Sequence, residues 1–168
     1  MGIPLSDEKT SGPDAAPSMG FGGFYQGQWF ASEWPSHFAQ HSHSSALSEL
    51  YPIAVACHVW GSSWRRKRIA VLCDNVAVVE IINRGRSSSP DIMLFMRRIT
   101  WLSVVNNFII TARHVPGHSN AIADALSRFK FQIFHRLCPD ASPSPTPVPP
   151  YPELILSSAV CSSQLGPT

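Results

Sequence analysis

The sequence predicts an α/β or α+β fold, a sheet covered by helices, and three observations carry that reading. RIAVLCD at 68–74 is a short continuous apolar run ending in an acid, the form of a buried central strand. On either side of it, apolar residues recur at helical spacing behind residues that cap helices well. The resulting order of hairpin, helix, strand, helices, strand and helix is that of a sheet connected through helices. The chain has 168 residues, of which 44% are hydrophobic and 14% charged, enough for one domain with a real core.

Each element has its own local reason. Residues 1–18, rich in Gly, Pro, Ser and acids, show neither helical nor strand period and are expected to be irregular or disordered. GFGGFYQGQWFASEW at 20–34 gives two aromatic-rich runs around Gln26-Gly27, which predicts a β-hairpin. HSHSS at 41–45 reads as a loop without metal-ligand spacing. ALSELYPIAVACHVW at 46–60 reads as a helix. There Pro52 falls among the first positions if Ser48 is the cap, and an earlier start demands a kink. After the strand at 68–74, Asn75 caps a helix to about Arg84 that Gly85 terminates. Ser89-Pro90 opens another over 90–104. NFIITARHV at 107–115 is a strand. HVPGHSNAIADALSRF at 114–129 is a Pro-Gly turn followed by a helix presenting Ile122, Leu126 and Phe129 on one face. From Cys138 onward the sequence is polyproline-like. The domain reading is an irregular segment at 1–18, a folded domain at 19–137 with Asp14 at its edge, and a Pro-rich disordered tail at 138–168.

Composition excludes several classes of protein. No apolar run reaches the roughly 18 residues a membrane span needs, so no membrane partner is expected. The start lacks the layout of a signal peptide. Cys57, Cys73, Cys138 and Cys161 are scattered without a CxxC pair. They read as small buried hydrophobes or tail residues of an intracellular protein, cytoplasmic or nuclear, and not as a disulfide frame or zinc site. Net charge is only +2, but basic residues cluster at Arg65, Arg66 and Lys67, at Arg84 and Arg86, and at Arg97 and Arg98. Such clusters are solvated surface or phosphate contacts.

Acids are scarce in the folded part, so their positions carry information. Asp14 precedes the hairpin, Glu49 falls in the first turn of the first helix, Asp74 ends the central strand, and Asp124 opens the last helix. Phosphodiester hydrolysis with two divalent ions needs several oxygen ligands grouped around the metals. Ordinary reasons compete at each position. Asp74 beside Asn75 suits a helix start, Glu49 and Asp124 suit a helix macrodipole, and His118 suits a Pro-Gly loop. Spacing therefore permits a metal nuclease without demanding one.

Four stretches together resemble the ribonuclease H domain that follows reverse transcriptase in retroelements. They are PDAAPSMGFGGFYQGQW (13–29), LSELYPIAVACHVWG (47–61), VLCDNVAVVEIINRG (71–85) and HVPGHSNAIADALSR (114–128). The likeness is greatest to the versions in tyrosine-recombinase retrotransposons of animals and runs from about Asp14 to Pro150. It implies a ribonuclease H-like mixed sheet of five strands flanked by helices. Its site would consist of four carboxylates, Asp14, Glu49, Asp74 and Asp124, holding Mg²⁺, with Mn²⁺ as a substitute. His118 matches the family's mobile-loop histidine and Asn120 a position that anchors that loop. The implied substrate is the RNA strand of an RNA–DNA hybrid, recognised through 2′-hydroxyls and phosphates. Asn75, Arg65, Arg66, Lys67, Arg84 and Arg86 are the candidate nucleic-acid contacts, and a reverse transcriptase portion is the implied protein partner.

One departure matters. The family sets its first Asp on a central strand, whereas SDEKTSGP precedes Asp14 here, and Pro13 cannot donate to a ladder. That strand is expected to be missing or degraded, as in a piece of a longer polyprotein. The competing expectation is a catalytically inactive ribonuclease H-like domain that only binds nucleic acid or a protein partner.

Overall fold

The computed structural model describes residues 2–4, 19–39 and 44–156. Strand β1 (Gly2–Pro4) runs parallel to β4 (Arg68–Cys73), and β4 runs parallel to β5 (Ile109–His114), giving the order β1-β4-β5. β2 (Gly20–Tyr25) and β3 (Gln28–Glu33) form an antiparallel hairpin. The single five-stranded sheet is thus divided into two ladders. β1 lies beside β2, but among the described residues no pairing joins them. β1 is only three residues long and ends in Pro4, which has no N–H to donate.

The position beside β4 that the family's first strand would take is occupied. Among the described residues, the segment beside β4 comes from residues 2–4, inside the stretch expected to be irregular. Asp14 itself lies outside the described residues, as do His41 to His43 of the HSHSS loop.

The hairpin turn follows from local chemistry. Gln26 and Gly27 both take positive φ (48° and 81°), the type I′ geometry whose twist matches the flanking strands. Helix α1 (Ser36–Ala39) follows, then α2 (Ser45–Trp60). Ser44 caps α2 by accepting from the Leu47 N–H, so the helix starts earlier than a Ser48 cap would place it. Pro52 then sits in the interior, where it withholds one intrahelical bond. Glu49 is correspondingly beyond the first turn, and the helix macrodipole does not account for it.

α3 (Val76–Arg84) is capped by the Asn75 side chain, which accepts from Ala77 and Val78, and ends at Gly85 in the left-handed conformation. α4 (Pro90–Asn106) has proline at its start as expected. The main core gathers Leu50, Ile53 and Ala54 of α2, Ile99 of α4, and Ile69 and Val71 of β4 in one buried cluster, all essentially inaccessible. β4 alternates buried and less buried residues, so it is covered fully on one face only.

The last helix of the sequence reading is shorter than expected. α5 (Ala121–Ser127) stops before Phe129, which takes φ 55°, and a separate α6 (Phe131–Leu137) begins after it. The break swings Phe134 onto Trp29, forming a second small core with Ala125 and Leu126. Gly22 lets α5 press on β2: a Cβ there would lie 2.6 Å from the Leu126 Cβ.

Residues 138–156 are docked, contrary to the expected disordered tail. Ser142 N–H donates to the Gly27 carbonyl, Thr146 N–H to the Trp29 carbonyl, and Trp29 Nε1 to the Ser142 carbonyl at 2.7 Å. The prolines cannot form a ladder of their own, but the hairpin supplies partners for the residues between them. A terminal helix, α7 (Tyr151–Leu156), then buries Leu154 and Ile155 against the main core.

Candidate active site

β4 ends at Cys73 and delivers Asp74 to the carboxyl edge of the parallel ladder, the place where open α/β sheets put their ligands. α2 crosses behind this edge and contributes Glu49, which is 2% exposed. A carboxylate oxygen of Glu49, the Cys73 sulfur and a carboxylate oxygen of Asp74 all lie within 4.8 Å of one another. Cys73 donates its S–H to Glu49 Oε2. Burial pushes the Cys73 thiol up, and the adjacent Glu49 charge pushes it further, so the sulfur is neutral at physiological pH.

The surrounding loops are tied to this corner. Asn75, besides capping α3, donates from Nδ2 to Ser45 Oγ at 3.3 Å, linking the starts of α2 and α3. The Val115 N–H donates to the Cys73 carbonyl at 2.9 Å, which pins the segment after β5 to the end of β4. Gly117 then passes so near that a Cβ would stand 3.2 Å from Asp74 Oδ2. The backbone of His118 lies in the single helical turn Gly117–Ser119 of the same loop. Asn120 is buried; its N–H donates to the Gly117 carbonyl, and its own carbonyl accepts from Asp124 N–H.

Of the four expected carboxylates, the structure brings Glu49 and Asp74 together. Asp124 sits in the first turn of α5, and its Oδ1 takes a 2.6 Å ion pair from Arg128 Nε. It is not in the cluster with Glu49 and Asp74. Cys73 is the member the sequence reading missed. Its position one residue before Asp74 was visible, but as a small buried hydrophobe, and only the packing of α2 puts a carboxylate against it.

The basic candidates lie away from the cluster. Arg65, Arg66 and Lys67 are exposed at the opposite end of β4, roughly 20 Å along the strand at its rise of about 3.3 Å per residue. Arg84 and Arg86 are exposed at the far end of α3, about 13 Å from Asn75 at 1.5 Å per residue. Two open grooves follow the docked C-terminal segment and involve none of these groups.

The donor set fits a hard divalent cation in part. Two carboxylates at this separation from different elements suit one, while the neutral thiol is a poor ligand for it. No family model matches the chain, and no curated protein does. Among solved structures, the N-terminal RNase H domain of rv2228c from Mycobacterium tuberculosis, studied fused to maltose-binding protein, superposes with a TM-score of 0.50. It is 19% identical, over 81% of this chain and 96% of that one. This chain has an RNase H-like fold. RNase H1 from Halobacterium salinarum NRC-1 is also similar, with a TM-score of 0.49 and 14% identity over 77% of this chain and 96% of that one. At these identities the likeness concerns the fold. Among the described residues, no helix is long and apolar enough to cross a membrane.

Proposed function

We propose that the chain is a retroelement-derived ribonuclease H that hydrolyses the RNA strand of RNA–DNA hybrids with two Mg²⁺ ions. The observation that carries this reading is the convergence of Glu49 from α2 and Asp74 from the end of β4 at one corner of an RNase H-like fold. Glu49 and Asp74 would hold the metal, with Asp14 and Asp124 completing the ligand set. When bound, the ions activate water and stabilise the leaving oxygen. The protein's own part is positional. Burial fixes Glu49, the β4 end fixes Asp74, and the loop from Val115 to Asn120 carries His118 to the same edge for proton transfer or product release. Asn75, Arg84 and Arg86 are the proposed contacts to hybrid phosphates, and Arg65 to Lys67 would meet a bound duplex only at a distance from the cleaved bond. A reverse transcriptase is the proposed protein partner.

Cleavage of a labelled RNA–DNA hybrid tests this reading. We expect Mg²⁺- or Mn²⁺-dependent cutting that EDTA stops and that Asp74→Asn lowers at least about 10²-fold, with the circular dichroism spectrum unchanged. Folded protein with neither cleavage nor metal-dependent stabilisation rejects it.

A second reading has a specific observation behind it. Asp124 is paired with Arg128 and is not among the mutually adjacent ligand atoms of Glu49, Cys73 and Asp74, as in a domain that binds hybrids without cutting them. Affinity that falls steeply with salt and is indifferent to the carboxylates would support that reading.

A further inference from the structure

We propose that Cys73 is a positioning residue for Glu49: its thiol orients the carboxylate toward Asp74 by donating to Oε2. This rests on the nuclease reading above. Glu49 hangs on a flexible side chain from α2, while Asp74 is fixed by the end of β4. Two carboxylates brought within 4.8 Å repel each other, and Glu49 is buried where water does little to relieve that. An S–H donor from β4 itself opposes the repulsion and selects one side-chain orientation. Cys73 is fully buried, so solvent does not compete for the contact. A carboxylate accepts in several directions, so one thiol contact leaves it capacity for a metal. The same sulfur stands 3.6 Å from the Asn75 carbonyl, beside the cap of α3. The orientation of Glu49 is therefore set from the strand that also carries Asp74, so both carboxylates share one frame.

The test compares Cys73→Val, similar in size with no donor, and Cys73→Ser, which restores one. Both are first shown to be folded by circular dichroism and thermal melting. In the hybrid-cleavage assay with Mg²⁺, Cys73→Val is expected to lower kcat about 10- to 100-fold with KM changed less than about two-fold. Cys73→Ser is expected to recover most of that loss. A readout free of metal and activity is the infrared S–H stretch, taken as the difference between wild type and Cys73→Val. It is expected at the lowered frequency of a bonded thiol and to move on Glu49→Gln.

Three results of the activity and metal assays overturn the inference, as does the infrared result given last. One is wild-type cleavage with Cys73→Val equally active. Another is Cys73→Ser as impaired as Cys73→Val. The third is a thiolate-to-metal absorption band on adding Cd²⁺ that disappears in Cys73→Ser, which would make the sulfur a ligand. Absence of cleavage by the wild type instead rejects the nuclease reading, and an S–H band at the free-thiol frequency then rejects the Cys73 role separately.

Discussion

Glu49 is the residue whose placement the ordinary reasons fail to explain. It lies beyond the first turn of α2, is almost completely buried, and shares its corner with Asp74. Burying an acid beside another acid costs stability, and such a cost is commonly kept where function needs it. Glu49→Gln in metal-free buffer should therefore stabilise the fold by about 1 kcal/mol while abolishing hybrid cleavage, as judged by denaturant titration and the cleavage assay. Gly117 gives a second test at this scale. A valine there brings a Cβ to 3.2 Å from Asp74 Oδ2 with further methyl groups behind it, so Gly117→Val is expected to lower kcat more than it lowers Tm.

At the scale of elements, the hairpin and α5 depend on close approach. Gly22→Val would drive a side chain into Leu126 and the Phe30 carbonyl, 2.6 and 2.9 Å from the new Cβ. Overpacking of that kind should destabilise by about 1–3 kcal/mol, seen as a lower denaturant midpoint. α5 carries Asp124 and joins the loop of His118, so the same change should also weaken metal-dependent stabilisation. Much of this level was legible in the residues. Gln26-Gly27 demands its turn, Asn75 and Gly85 bound α3, and Pro90 opens α4, because each is decided by neighbours along the chain. The start of α2 was not legible, since Ser44, Ser45 and Ser48 are all competent caps and tertiary packing chose among them. The break at Phe129 was hidden too, because Ile122, Leu126 and Phe129 keep helical spacing through a turn that only Trp29 and Phe134 explain.

For the whole molecule, the docked C-terminal segment is the main departure. Leu154 and Ile155 are buried, and Tyr151 stacks parallel to Tyr51 at 6.2 Å. Ending the chain after residue 137 should lower stability by about 3–6 kcal/mol, the order of two buried aliphatic side chains, measured by denaturant titration. The junction should also respond to pH. His58 of α2 lies between Arg98 of α4, 3.2 Å from Nδ1, and Glu153 of α7, 3.8 Å from Nε2. Burial holds its pKa below the ordinary 6.5 and Arg98 lowers it further, with Glu153 partly offsetting both. As pH falls, the unfolded chain takes up this proton first. The contribution is therefore complete above about 6.5 and is lost as pH drops toward the lower folded value. Between about pH 7 and pH 5, the Tm of the wild type should fall more than that of His58→Gln.

The sequence by itself determined the succession of elements, most of their caps and turns, and the choice of Glu49 and Asp74 as candidate metal ligands. These follow from local propensity, from hydrophobic period and from a motif order that survives without coordinates. Tertiary structure alone decided that residues 2–4 run beside β4, that residues 138–156 pack on the hairpin, that Asp124 turns to Arg128, and that Cys73 meets Glu49. Each of these is a contact between segments distant in the chain or a choice among rotamers. Its free energy comes from the shape of the partner surface, which no local pattern encodes.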